Sequence, residues 1–258
     1  MRIRHVIPLI LIGATALASC SGSGSVPADP ANQPGSLPRQ AAVSSPSSPQ
    51  IPACRIQTLI GTVSERTVAA RRAPDPSARE VASFAMTNAQ GAGQVFDLLD
   101  RVQGSDSSVW YRALLPVRPN GTTGFIPARS LRLSQTPYRL QVDRSRLELT
   151  LWKGCEVVAR YPTGLGTKGT PTPVGTFYLV SLVKPPTAGS IYGAYAYGLS
   201  AYSDALTNWA GGGIIGLHGT NDPSSIGRRE SHGCIRMLNR DIEHLTKILP
   251  LGTPIEID

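Results

Sequence analysis

From Tyr138 to Leu151 the chain alternates apolar and polar side chains with period two: Tyr138-Arg139-Leu140-Gln141-Val142-Asp143, then Leu147-Glu148-Leu149-Thr150-Leu151. A strand turns successive side chains to opposite faces, so this pattern fits a sheet with one buried face and not a helix, whose apolar residues recur every three or four positions. Lys153-Gly154 marks a turn, and Glu156–Tyr161 returns as the next strand. Further β-prone runs are expected at Gly175–Val183, Ile191–Leu199, Ile214–His218 and Pro254–Ile257. One segment alone has helical spacing. There Asn239 suits the N-cap, Asp241 and Glu243 suit the first turn, and Ile242, Leu245 and Leu249 share a face before Pro250 and Gly252 stop it. The 26 Gly and 22 Pro among 258 residues agree with a turn-rich, mainly β chain carrying one or two short helices.

Residues 54–133 read as a smaller all-β unit, with expected strands at Gln57–Val63, Thr67–Arg71, Val95–Leu99, Trp110–Leu114, Gly124–Pro127 and Leu131–Leu133. Trp110-Tyr111-Arg112-Ala113-Leu114, the Asn120-Gly121 turn and Gly124-Phe125-Ile126 together resemble the closing strands of a bacterial SH3-like domain, with Phe125 where Trp is common. The resemblance implies an SH3-like β-barrel over residues 53–134, serving as a cell-wall-binding module or as a spacer. A β-rich catalytic domain over residues 136–258 is expected to follow it.

The N-terminal segment has the character of an export signal. Arg2 and Arg4 precede an apolar stretch from Val6 to Leu17, shorter than the roughly 20 residues that span a bilayer. Leu17-Ala18-Ser19-Cys20 resembles the lipobox of bacterial lipoproteins. That resemblance implies a signal peptide over residues 1–19, lipidation of Cys20 and attachment to the outer face of a bacterial membrane. Residues 20–52 are rich in Ser, Pro, Gly, Ala and Gln and read as a disordered tether. In such an oxidising compartment Cys54 and Cys155 could pair or stay as two separate thiols. The formal charge of +8 is spread thinly: residues 53–136 hold ten Arg against six acids, with no dense basic run. Nucleic acid is therefore not expected as a partner, whereas an anionic polymer or membrane surface is compatible.

The chemistry concentrates between Ile214 and Met237. His218 closes an apolar β-run, and twelve residues separate it from Ser231-His232-Gly233-Cys234. A free thiol with a pKa near 8.5 is only slightly ionised at neutral pH, so a nucleophilic cysteine needs a base or a cation beside it. His232 and Cys234 share a side on an extended chain, and His218 can enter from a neighbouring strand.

This stretch, with Gly164-Leu165-Gly166 and Thr170-Pro171-Thr172-Pro173-Val174-Gly175-Thr176-Phe177 upstream, resembles the L,D-transpeptidase family (YkuD-type catalytic domain) over about 120 residues. The resemblance implies that Cys234 is the nucleophile, that His218 takes and returns the proton, and that the Gly219 carbonyl orients the His218 ring. It also implies an oxyanion hole from the backbone N–H groups of Gly233 and Cys234. Ser231, His232 and Arg236 become candidate substrate-binding residues, with Arg236 a clamp for a carboxylate. Some members have Asn where this chain has Arg236, which leaves the role of that position open. The implied substrate is a peptidoglycan stem peptide, joined through a Cys thioester into a 3→3 cross-link, and the implied inhibitors are carbapenems. No cofactor or metal is implied.

Other readings of the same residues stand beside this one. The thioester could go to water or a protein amine, giving an L,D-carboxypeptidase or a protein-to-wall ligase. His218, His232 and Cys234 could ligate zinc, although no further acid or His at the usual spacing supplies a general base. Cys234 could be a buried structural thiol in a non-catalytic wall-binding protein.

Overall fold

Strand β1 (Thr58–Val63) lies one strand in from an edge of the chain's first sheet, pairing with β4 (Val95–Gln103) on its inner side and with the edge strand β7 (Leu131–Thr136) on the other. The remaining members are β2 (Thr67–Arg71), β3 (Glu80–Ala85), β5 (Val109–Leu114) and β6 (Thr123–Pro127), in the order β3-β2-β6-β5-β4-β1-β7. Every pairing in it is antiparallel. The computed structural model from which this architecture is taken describes residues 57–187, 189–207 and 212–258. The export signal, Cys20, the tether and Cys54 lie outside those residues. Cys155 is disulfide-bonded.

The second sheet has eight strands. Its hairpin arm is β8 (Tyr138–Asp143), β9 (Glu148–Lys153) and β10 (Glu156–Pro162). After a two-residue strand β11 (Leu165–Gly166) come β12 (Gly175–Val183), β13 (Ala196–Tyr202) and β14 (Ile214–His218). Then β15 (Arg229–Ser231), β16 (Ile235–Arg236), the helix α1 (Asn239–Thr246) and β17 (Pro254–Ile257) close the chain. The order is β10-β9-β8-β17-β12-β13-β14-β16, with β11 and β15 forming a separate two-stranded ribbon. Three pairings are parallel: β8 with β17, β14 with β16, and β11 with β15.

Strand β12 explains why the two sheets hold together. Its side chains alternate in direction, yet five consecutive residues are buried. Phe177 and Leu179 point into the core of the second sheet, beside Leu140, Leu149, Tyr197 and Ile215. Tyr178 and Val180 point the other way and join Ile60, Val95 and Leu114 of the first sheet in a shared apolar cluster. The Tyr178 hydroxyl donates to the Leu114 carbonyl at 3.3 Å. From Phe177 to Ser181 neither face of β12 meets water, so this part of its sequence reads as a continuous run rather than an alternation. The described residues from Gln57 onward belong to one compact unit.

The structure departs from the sequence reading at four places. Glu80–Ala85 is a strand that the sequence reading passes over, because its alternation is weak. The run expected at Ile191–Leu199 begins as a strand only at Ala196 and continues to Tyr202. The short β11, β15 and β16 carry too few residues to show any period. Finally, Asn239 is not the cap of α1: Leu238 occupies that position, with no side-chain cap hydrogen bond.

Candidate active site

The site forms where β14 and β16 run parallel, with His218 in register with Arg236. A parallel pair needs a crossover between its strands. Here the crossover, residues 219–234, holds the whole Ser231–Cys234 turn. That turn is built by Ser231, whose hydroxyl donates to the Cys234 carbonyl at 2.6 Å and accepts the Gly233 N–H at 3.1 Å. Gly233 has φ of +114°, a conformation that side chains avoid. Thr170 Oγ1 and the Thr167 N–H both donate to the Ser231 carbonyl, at 3.1 Å each. The Gly164–Thr172 segment thus braces the turn from behind.

His218 is 4% exposed and closes β14. Its Nδ1 lies 2.5 Å from the Gly219 carbonyl. A carbonyl only accepts, so Nδ1 carries the proton and Nε2 is left as the basic nitrogen. Burial pushes the imidazole pKa down to about 4; the Gly219 contact opposes this and the Arg236 cation adds to it. Cys234 Sγ accepts the Gly216 N–H at 3.3 Å. Burial pushes the thiol above its ordinary value, against the Gly216 N–H and the Arg236 charge, which both favour the thiolate. At rest the pair is therefore a neutral thiol and a neutral imidazole. Gly216 separates the two: a methyl group added there would meet His218 Cδ2 at 3.4 Å and Cys234 Sγ at 3.7 Å. A side chain at this position would fill the space where a reacting carbonyl must sit.

A cavity of about 270 Å³ opens onto the thiol, and His218, Ser231, His232, Cys234 and Arg236 all line it. Tyr192 covers the base, its ring edge-on to His218 with centroids 5.1 Å apart. Of the other two tyrosines of that segment, Tyr197 is core and Tyr195 packs against it. Two of the site residues expected from the sequence bond one another in the turn. Ser231 is buried, and its hydroxyl is committed to the turn. The Gly233 N–H, expected in an oxyanion hole, is directed at Ser231 Oγ, whereas the Cys234 N–H makes no bond to the described residues. Among the described residues no three His, Cys, Asp or Glu side chains cluster as metal ligands.

Three contributors escape the sequence reading. The Gly216 N–H is a backbone group and leaves no trace in residue identity. Gln90 lines the cavity from the first sheet, some 140 positions away from the thiol in the chain. Asn239 is the third. Its Oδ1 accepts from Ala194 N at 3.0 Å and from Thr220 N at 3.1 Å. It is wedged against Gly193 and Gly219, where an added methyl would come within 2.1 and 2.2 Å of that oxygen. Asn239 therefore fixes the peptide whose carbonyl holds the His218 proton.

A half-buried thiol with a hydrogen-bonded sulfur, a neutral imidazole of fixed tautomer and an adjacent cation make up a site suited to nucleophilic cysteine chemistry. Residues 137–257 match the L,D-transpeptidase catalytic domain (YkuD). The YkuD protein of Bacillus subtilis, named as an L,D-transpeptidase, is 33% identical over 160 residues, which is 60% of this chain and 90% of that protein. The YkuD protein of Bacillus licheniformis is 40% identical over 121 residues, covering 47% of this chain and 66% of the relative. A solved structure, Bdellovibrio bacteriovorus Bd1075, is 28% identical with a TM-score of 0.38, covering 48% of this chain and 47% of that one. The chain belongs to the L,D-transpeptidase (YkuD) family.

Proposed function

We propose that the chain is a peptidoglycan L,D-transpeptidase that forms 3→3 cross-links through a thioester on Cys234. The observation that carries this reading is the Nδ1 contact of His218 with the Gly219 carbonyl, which leaves Nε2 basic in the cavity that also holds the thiol. Cys234 Sγ attacks the carbonyl carbon of the diamino acid of a donor stem, and the thiol proton passes to His218 Nε2. The developing oxyanion takes the Cys234 N–H. Collapse expels the D-amino acid amine, which takes the proton back and leaves the thioester. The side-chain amine of a second stem then attacks. His218 removes its proton and returns it to the departing sulfur. Because both partners are neutral at rest, proton transfer accompanies attack rather than preceding it.

Arg236 is half-buried, lines the cavity and has no ion-pair partner among the described residues, which suits it to a substrate carboxylate. His232, exposed at the cavity rim, is assigned to substrate binding. On this reading the first sheet is an SH3-like module. Cys20 carries lipid and tethers the chain outside the membrane, facing the wall. These assignments rest on the sequence motifs, and labelling cells with an alkyne fatty acid tests the last: the label is expected on the chain and absent from Cys20→Ser.

Intact mass spectrometry with a stem tetrapeptide and with a carbapenem tests the nucleophile. A mass increase located at Cys234 is expected from both, and no increase from either would sink the mechanism. Release of the donor acyl group to an added amine separates transpeptidation from hydrolysis to a carboxypeptidase product.

A further inference from the structure

A second cavity, of about 250 Å³, lies on the seam between the two sheets. It adjoins the thiol cavity, since Gln90 and Ile214 line both. One wall is the β3–β4 turn of the first sheet, and the other is formed by β12, β13 and β14. We propose that this crevice binds the acceptor stem peptide, and that Gln90 hydrogen-bonds the peptide where it passes towards Cys234. The inference rests on the transpeptidase reading.

Three observations support it. A donor must place its carbonyl on Sγ, so it occupies the thiol cavity, which also holds Arg236 to meet a carboxylate. The seam crevice has no charged side chain in its lining. An attacking amine must arrive unprotonated. Carboxylates along its path would hold it as ammonium, whereas amides and hydroxyls bond a peptide without that bias. The crevice is also preformed. Asn88 Oδ1 accepts from Gln90 N at 3.1 Å and Ala92 N at 3.0 Å, shaping the turn, while its Nδ2 donates to the Val180 carbonyl at 2.8 Å across the seam. On the opposite side the Tyr202 hydroxyl donates to the Pro116 carbonyl at 2.8 Å, and Asn120 bonds the Tyr202 backbone at both N and O. Walls fixed this way bind without the cost of ordering a loose seam.

Ala89 is exposed and lines the crevice but not the thiol cavity. Ala89→Trp should fill the crevice and leave the thiol untouched. The readout is the acceptor concentration that diverts half of the acyl-enzyme from hydrolysis to aminolysis, measured on the full chain beside the rate of acylation by tetrapeptide. The expected result is a rise of about tenfold or more in that concentration, with acylation within about twofold of the parent. Gln90→Ala should raise it by a smaller factor. Unchanged acceptor dependence in Ala89→Trp would overturn this inference alone, as would a matching fall in acylation, which would put the donor in the crevice. A parent chain that never acylates would overturn the transpeptidase reading as well.

Discussion

The two sheets are built from the same materials and differ in how their strands are joined. The first is antiparallel throughout, so each strand finds its partner through a turn or a return loop, and no long segment has to cross its end. The second mixes directions, and its parallel β14–β16 pair forces residues 219–234 to cross over the sheet edge. Everything reactive sits on that crossover or beside it. The first sheet contributes a wall and one polar side chain, Gln90, and leaves the chemistry to its neighbour. A sheet acquires a site where its connections leave buried polar groups to be satisfied, as at Ser231 and His218, and not where its ladder is most regular.

The largest expected effect breaks the chemistry of one sheet and leaves the other intact. Cys234→Ala should remove acylation by tetrapeptide and carbapenem, at least about a thousandfold by single-turnover mass spectrometry. Its circular dichroism should match the parent. Residual acylation at a tenth of the parent rate would assign the nucleophile elsewhere. The next effect sharpens the comparison at β12, whose faces serve the two sheets separately. Phe177→Ala and Tyr178→Ala should each cost about 3–5 kcal/mol, since each empties a fully enclosed aromatic site. Both should give one calorimetric transition, because the seam cluster joins the sheets into one cooperative unit. Two separated transitions in Tyr178→Ala would show that the seam is not part of that unit.

Most strands were legible because their residues alternate or run apolar within bounds set by Gly and Pro: Thr67–Arg71, Gly175–Val183, Ile214–His218 and Pro254–Ile257 fall where the sequence puts them. Strands of two or three residues were not, because pairing across the chain, and not local pattern, makes them strands. The site divides in the same way. Cys234, His218 and Arg236 announce themselves by residue type and spacing. The Gly216 N–H and the turn-building role of Ser231 belong to backbone geometry. Gln90 belongs to tertiary packing of a different sheet, which no local window contains.

The pH dependence follows from the buried imidazole. With the folded pKa of His218 near 4 and an unfolded value near 6.5, the unfolded chain binds a proton in that window and the folded chain does not. The stability contribution is present above about pH 6.5 and is lost as pH falls towards 4, at up to about 1.4 kcal/mol per pH unit. His218→Asn should flatten that part of the melting-temperature profile. A profile equally steep in the variant would place the responsible group elsewhere. The rate of carbapenem acylation should have its acidic limb near pH 4 in the parent, because protonated His218 cannot accept the thiol proton.

Asn239 gives the smallest effect and the sharpest contrast between sequence and structure. As a helix cap it would matter only to stability, and a capping loss costs about 1 kcal/mol. The structure instead puts its Oδ1 on the Ala194 and Thr220 N–H groups, bracing the Gly219 peptide that fixes the His218 tautomer. Asn239→Ala should then lower kcat/KM about tenfold through a less ordered base. Asn239→Asp keeps an oxygen for both donors, so the geometry should be restored, but it adds a negative charge near the ring. That charge favours imidazolium, and the acidic limb of the rate profile should move up in pH. A capping role predicts a different pair of results: Asp, itself a good cap, would restore stability with the limb unmoved. An upward shift of the limb in Asn239→Asp, with the loss in Asn239→Ala falling on kcat, separates a residue that positions the base from one that merely starts a helix.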